Sequence, residues 1–143
     1  MSRRLCFSLA VLLIPASFVA FSQPPASVWD GIYTSDQAAK GSALYTAYCA
    51  SCHGPKMQGK GQTPPLEGTD FLSNWTGMTV GDLFEKIQTS MPADRPGQVS
   101  RPDNAAILAY IFQSNKFPAG EHELGTDSEA LGRIHIDAAK SGK

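Results

Sequence analysis

The sequence predicts an all-α domain, and three observations carry that prediction. Apolar residues recur at helical spacing in three separate stretches, around Leu44 to Tyr48, Val80 to Ile87 and Ile107 to Ile111. Each stretch is preceded by a residue suited to cap a helix N-terminus, namely Thr34, Thr79 and Ser100. No segment shows the sustained alternation of apolar and polar residues that marks a half-buried strand.

The first helix opens at Thr34-Ser35-Asp36-Gln37, which has the form of a capping box with Thr34 as N-cap and Gln37 at the third helical position, and it runs into Cys49. Leu44, Tyr45 and Tyr48 share its apolar face, and Gly41 lies four residues before Tyr45 on that face. A glycine in mid-helix costs up to about 1 kcal/mol relative to alanine. A close helix crossing at Gly41 would justify it; the alternative is a surface glycine without consequence. Segment 54 to 78 holds Gly54, Gly59, Gly61, Pro64, Pro65 and Gly68, so it reads as a loop with one short helical turn at most. A loop of that length in a small domain carries function or wraps something.

Thr79 caps the second helix, with Val80, Leu83, Phe84 and Ile87 inward and Asp82, Glu85, Lys86 and Gln88 on the other side. It stops before Met91-Pro92, because proline disfavours helical geometry in the preceding residue. Pro92, Pro96 and Gly97 make 92 to 99 a turn region. Ser100 caps the third helix, where Pro102 is tolerated in the first turn and Asp103 faces the positive end of the dipole. Ile107, Leu108, Tyr110 and Ile111 form its apolar stripe. Beyond Phe117 the pattern weakens, although Thr126-Asp127-Ser128-Glu129 could start a short helix through Leu131 and Ile134.

Cys49-Ala50-Ser51-Cys52-His53 is the motif that names a cofactor, since two thiols three residues apart, followed by an imidazole, fit covalent attachment of a c-type haem. On a helical turn both cysteines reach the vinyl groups of one porphyrin while His53 ligates the iron. Two other readings share the C-x-x-C spacing, a thioredoxin-like redox pair and half of a zinc site. Zinc would need a second pair, and the only other cysteine is Cys6. A redox dithiol would want a βαβ pattern, whereas the residues before Cys49 read as helix. With no second C-x-x-C-H, one haem is expected.

Residues 1 to 22 read as a secretory signal peptide, with Arg3 and Arg4 before an apolar run and Ala20-Phe21-Ser22 as a cleavage signature ahead of Gln23. The run falls short of the ~20 apolar residues of a spanning helix, so a retained anchor is the lesser alternative and no stable membrane insertion is expected after cleavage. Cleavage removes Cys6 and places the mature chain in a bacterial periplasm. It leaves about 120 residues, enough for one domain of modest core. Of 12 basic residues, loss of Arg3 and Arg4 leaves 10 against 13 acidic ones, a net charge of −3. With no basic stripe, nucleic acid is excluded as a partner. The expected division is a signal peptide over 1 to 22, an N-terminal extension over 23 to 33, the haem domain over 34 to 116 and a partly ordered tail over 117 to 143.

In this order of elements the chain resembles the class I cytochromes c: a glycine-and-aromatic N-terminal helix, C-x-x-C-H, a proline-leucine loop, a Met-Pro element and a C-terminal helix, over roughly residues 34 to 116. The resemblance implies three to five helices around one haem, with the terminal helices crossing near Gly41 and Tyr45. The strings Ser27-Val28-Trp29-Asp30-Gly31-Ile32-Tyr33-Thr34 and Phe117-Pro118-Ala119-Gly120 are also similar to those of cytochrome domains that accompany periplasmic quinoprotein (pyrroloquinoline-quinone) dehydrogenases.

What the family implies for single residues follows its motifs. His53 would be the proximal ligand and its second ring nitrogen would donate to the carbonyl of Pro64, since Pro64-Pro65-Leu66-Glu67-Gly68 matches the family's Pro-x-Leu-x-Gly loop. Leu66 would pack on the haem plane. Met91, in the Met-Pro element, is favoured as sixth ligand over Met78, while Met57 is only four residues from His53, a span of at most ~14 Å that must pass around the porphyrin edge. His122 and His135 could compete for iron but fall in the weakly structured tail. Trp75 and Arg95 are candidates for the haem propionates, the alternatives being a packing tryptophan and a solvated arginine.

The function implied is transfer of single electrons from a dehydrogenase towards a terminal oxidase or another cytochrome, by a protein that is itself no enzyme. Two alternatives stand beside it. One is a haem subunit docked in a dehydrogenase complex, with the Trp29 segment and the tail as contacts. The other is a sensor or peroxidase-like protein with an open distal site.

Overall fold

The computed structural model describes residues 26–140. The expected signal peptide, with Cys6, lies outside the described residues. Six helices follow in chain order: α1 Ser35–Tyr48, α2 Ala50–His53, α3 Gly68–Trp75, α4 Val80–Ser90, α5 Arg101–Ser114 and α6 Ser128–Leu131. Two short strands, β1 Ala26–Ser27 and β2 Ile134–His135, pair in parallel and bring the two ends of the described chain together. The all-α class of the class I cytochromes c is the observed one.

The three expected caps form, each in its own way. The Thr34 side chain accepts from the Gln37 backbone N–H at 3.1 Å. The reciprocal half of that capping box is absent, because the Gln37 side chain turns inward: its amide donates to the Leu124 carbonyl at 2.9 Å and accepts from the Leu124 N–H at 2.8 Å. Thr79 and Asp82 complete a full box at the start of α4. Ser100 caps α5, and Asp103 adds a 2.9 Å ion pair to Lys40 on α1.

The principal helix pair is α1 with α5. At their crossing a Cβ on Gly41 would sit 1.8 Å from the Ala106 carbonyl oxygen and 3.0 Å from Tyr110 Cβ, so only glycine lets the backbones approach this closely. One turn along, the Tyr45 and Tyr110 rings meet edge to face at 5.7 Å. Burial of α5 is not confined to a stripe: Asn104 to Ala109, Ile111 and Phe112 are all buried, since α1, α4 and the tail pack around it.

Two segments differ from the sequence expectation. Within the long loop, Gly68 to Trp75 forms two helical turns rather than one, anchored by Phe71, which is fully buried. The tail adds Phe117, Leu124, Leu131 and Ile136 to the same core. Its short helix starts after Asp127 as the capping pattern suggested, but ends at Gly132, and Ile134 belongs to β2. The Tyr33 hydroxyl donates to the Phe117 carbonyl at 2.6 Å, and Trp29 packs on the Phe117 ring at 4.9 Å. The Trp29 indole N–H donates to the Asp137 carbonyl at 3.0 Å, and the Ser27 hydroxyl to the Asp137 carboxylate at 2.6 Å. The extension and the tail therefore fold with the haem-motif segment as one body. Arg101 joins them to α4, with its guanidinium on the Phe84 ring at 4.6 Å and its Nη2 donating to Glu85, Ser128 and the Thr126 carbonyl.

Candidate haem site

The motif occupies a break between two helices. Cys49 ends α1, its N–H donating to the Tyr45 carbonyl at 2.8 Å, and its own carbonyl accepts from Cys52 and His53 at 3.2 and 2.9 Å. The single turn of α2 that results puts both thiols and the imidazole within one turn of helix. Cys52 is exposed and Cys49 half-buried, with both thiols free. His53 is buried at 8% exposure. The Tyr45 hydroxyl donates to the Gly54 carbonyl at 2.6 Å, tying the end of this turn back to α1. Burial first, and neighbouring ionisable groups after it, push the Tyr45 hydroxyl up to about 12, so it stays a donor.

His53 Nδ1 lies 3.0 Å from the Pro64 carbonyl oxygen. As a donor to that oxygen, Nδ1 carries the ring proton and leaves Nε2 with the free lone pair, which is the tautomer a metal ligand needs. The loop that brings Pro64 there is built by local bonds. The Gly59 N–H donates to the His53 carbonyl at 2.8 Å, Lys60 and Thr63 exchange backbone bonds, and the Leu66 N–H donates to the Met57 carbonyl at 2.8 Å. Gly59 has φ 75° and a Cβ there would lie 2.6 Å from the Thr63 carbonyl oxygen, so glycine is required at this turn.

Sequence reasoning missed Asn115, the residue that clamps this loop from the far end of α5. Its Nδ2 donates to the carbonyls of Leu66 and Ile111, both at 2.9 Å, and its Oδ1 accepts from the Gly68 N–H at 3.0 Å. An asparagine closing a helix just before a positive-φ residue, here Lys116, is the local signal. Nothing in the Pro64-to-Gly68 motif itself points to Asn115, 49 positions from Leu66.

The remaining predicted residues fall as follows. Leu66 and Trp75 are half-buried and packed against the core, as are Leu72 and Ile87. Met91 caps the C-terminus of α4, its N–H donating to the Ile87 carbonyl at 3.0 Å, with its side chain half-buried. Met57 is a core residue at 1% exposure, and Met78 is 40% exposed. Met78 is held through its backbone, which meets Trp75 and Ile136. Arg95 is exposed and paired with its neighbour Asp94 at 3.1 Å. His122 is exposed, and His135 is half-buried in β2.

The donor set fits a covalently attached haem. Two free thiols and an imidazole with the right tautomer share one helical turn, and Leu66, Leu72, Trp75 and Ile87 from the 60s loop, α3 and α4 are apolar side chains left half-buried. The chemistry of the thiols fits less well with a redox dithiol. Burial, then the neighbouring Cys52, pushes the Cys49 thiol up to about 11, whereas a disulfide oxidoreductase lowers the pKa of its attacking thiol. Among the described residues no cluster of three or more metal-ligating side chains exists for a zinc site.

A helical body built around this turn defines a cytochrome c domain of class I type. The model of the family described as cytochrome c oxidase, cbb3-type, subunit III matches residues 36–111, more than half of the chain, and the chain belongs to that family. It is 58% identical over 63 residues to cytochrome c-554(547) of Halothiobacillus neapolitanus, a match covering 44% of this chain and 55% of that protein. The chain thus matches about half the length of this relative. The crystal structure of the sulfane dehydrogenase SoxCD from Paracoccus pantotrophus aligns over 91% of this chain and 68% of that chain, with 22% identity and a TM-score of 0.49. Membership of that family implies a covalently bound haem c. Among the described residues no helix is long and apolar enough to cross a membrane.

Proposed function

We propose that this chain is a periplasmic monohaem cytochrome c that carries single electrons between redox proteins, taking them from a dehydrogenase and passing them towards a terminal oxidase or another cytochrome. Cys49 and Cys52 hold the haem, His53 and Met91 are the axial ligands, Pro64 and Leu66 form the proximal wall, and Trp75 and Arg95 stand towards the propionates. The single observation that carries this reading is the 3.0 Å contact between His53 Nδ1 and the Pro64 carbonyl on a turn that also holds two free thiols. Haem c supplies a one-electron couple whose potential a histidine-methionine ligand pair raises.

The chain's own residues do the rest. The Pro64 carbonyl fixes the imidazole plane, so His53 cannot rotate away from its ligating pose. Leu66, Leu72, Trp75 and Ile87 exclude water, which limits the solvent rearrangement that accompanies a change of charge. The sixth position belongs to Met91 rather than Met57, because Met57 is built into the core. The excess of acidic residues suits steering by a partner with a basic docking face, through the small transient interface usual for redox encounters. Trp29 and the tail are engaged within the domain itself, which favours the free carrier over a docked subunit that would use them as contacts.

The test is a redox titration with haem quantification on protein recovered from the periplasmic fraction. One haem per chain, an N-terminus at Gln23 and a one-electron Nernst curve are expected. Two haems per chain, or a chain retained in the cytoplasm, would overturn the reading.

A further inference from the structure

Asn104 is 1% exposed, near the start of α5, and is the one buried polar side chain whose bonding is incomplete among the described residues. Its Nδ2 donates to Gln88 Oε1 at 2.7 Å and lies 3.5 Å from the Val99 carbonyl oxygen. Gln88 Nε2 donates to that same carbonyl at 3.3 Å. The Oδ1 of Asn104 is buried with no donor. An acceptor buried without a partner lowers stability, so an apolar residue of the same volume would suit the fold better. Stability does not explain an asparagine here.

The place of the cluster does. Gln88 is on the last turn of α4, three residues before Met91, and Val99 closes the segment that Met91 begins. Between them residues 93 to 98 are exposed, and the backbone bonds described there are local turns, Arg95 N–H to the Pro92 carbonyl and Gln98 N–H to the Arg95 carbonyl. Burial of Val99, at 4% exposure, and the two amides on its carbonyl are what fasten the far root of the segment to the helices. We infer that Asn104 is a positioning residue which, with Gln88, clamps the Val99 carbonyl and so holds the Met91 segment closed over the sixth iron position. The inference rests on Met91 as the axial ligand.

The experiment compares carbon monoxide binding to the reduced holoprotein in the wild type, Asn104→Leu, Gln88→Leu and the double variant. Asn104→Leu is expected to keep or raise the thermal midpoint while binding carbon monoxide about tenfold faster, the size of one lost hydrogen bond. Gln88→Leu should accelerate binding as well, and the double variant should be no faster than the faster single. Should Asn104→Leu not assemble, Gln88→Leu, which acts on the same carbonyl, decides the matter alone. A binding rate within about twofold of the wild type, or accelerations that multiply in the double variant, would overturn the clamp. Met91→Ala separates the two layers. Loss of the sulfur-to-iron charge-transfer band in Met91→Ala beside an unchanged rate in Asn104→Leu rejects the clamp only, whereas persistence of the band rejects the ligand assignment beneath it.

Discussion

Substituting alanine for Gly41 tests the packing on which the site depends. Helix propensity alone favours the change by about 1 kcal/mol. Against this, the new methyl carbon would stand 1.8 Å from the Ala106 carbonyl oxygen and 2.5 Å from its carbon, where ordinary contact begins at 3.4 Å. The obstructing atoms are helix backbone and cannot swing aside, so α1 and α5 must separate by more than an ångström and lose contacts along their whole crossing, including the Tyr45 and Tyr110 ring pair. Overpacking of a core costs typically 1–3 kcal/mol, and a rigid obstacle puts this site at the top of that range, about 3 kcal/mol. The net expectation is a loss of about 2 kcal/mol, or roughly 8 °C in Tm for a domain of this size. Urea unfolding of the haem-loaded protein, followed by helical circular dichroism, measures it. Gly125, exposed and with nothing near its Cβ position, is the control: Gly125→Ala should be neutral or slightly stabilising. A Gly41→Ala protein as stable as the wild type would refute the close crossing.

Two further perturbations address the proximal side. Tyr45→Phe removes the 2.6 Å bond to the Gly54 carbonyl and should lower stability by about 1–2 kcal/mol at neutral pH. It also has a pH signature. Because the folded-state value is raised from 10.0 to about 12, the unfolded chain releases this proton first, so the contribution is complete below pH 10 and is lost as pH rises through about 12. The wild type should therefore lose stability more steeply than Tyr45→Phe in that window, and parallel profiles would contradict the buried, donating hydroxyl. Asn115→Ala should free the Leu66 to Gly68 segment, with a loss of about 1–3 kcal/mol and faster amide hydrogen exchange at Gly68. Unchanged exchange there would show that the clamp holds nothing.

How far the sequence could be read depended on whether a signal was local. Thr34, Thr79 and Ser100 mark helix starts because a cap acts within one turn, and all three helices begin where those residues stand. The C-x-x-C-H turn was legible because the motif carries its own chemistry, whereas the Pro64 loop was legible only through the resemblance to the class I cytochromes c. The second turn of α3 was hidden by Gly68, whose positive φ of 73° starts the helix in a run otherwise rich in breakers. Phe71, Leu72 and Trp75 have helical spacing, but three apolar residues are too few to outweigh their setting. The tail was illegible for a different reason. Leu124 meets Gln37 across 87 positions, Leu131 lies beside Gly81 on α4 and Ile136 bonds to Gly77 and Met78, and the Gln37 amide paired with Leu124 looks in sequence like half of a capping box. The same holds for Asn104, Gln88 and Val99, which meet only after the chain has turned between α4 and α5.

The central claim is that His53 and Met91 form an axial pair on one haem, and the absorption spectrum of the oxidised protein tests it most directly. The wild type and Met78→Ala should both show the sulfur-to-iron charge-transfer band, and Met91→Ala should lack it. A band that survives in Met91→Ala and vanishes in Met78→Ala would contradict the account.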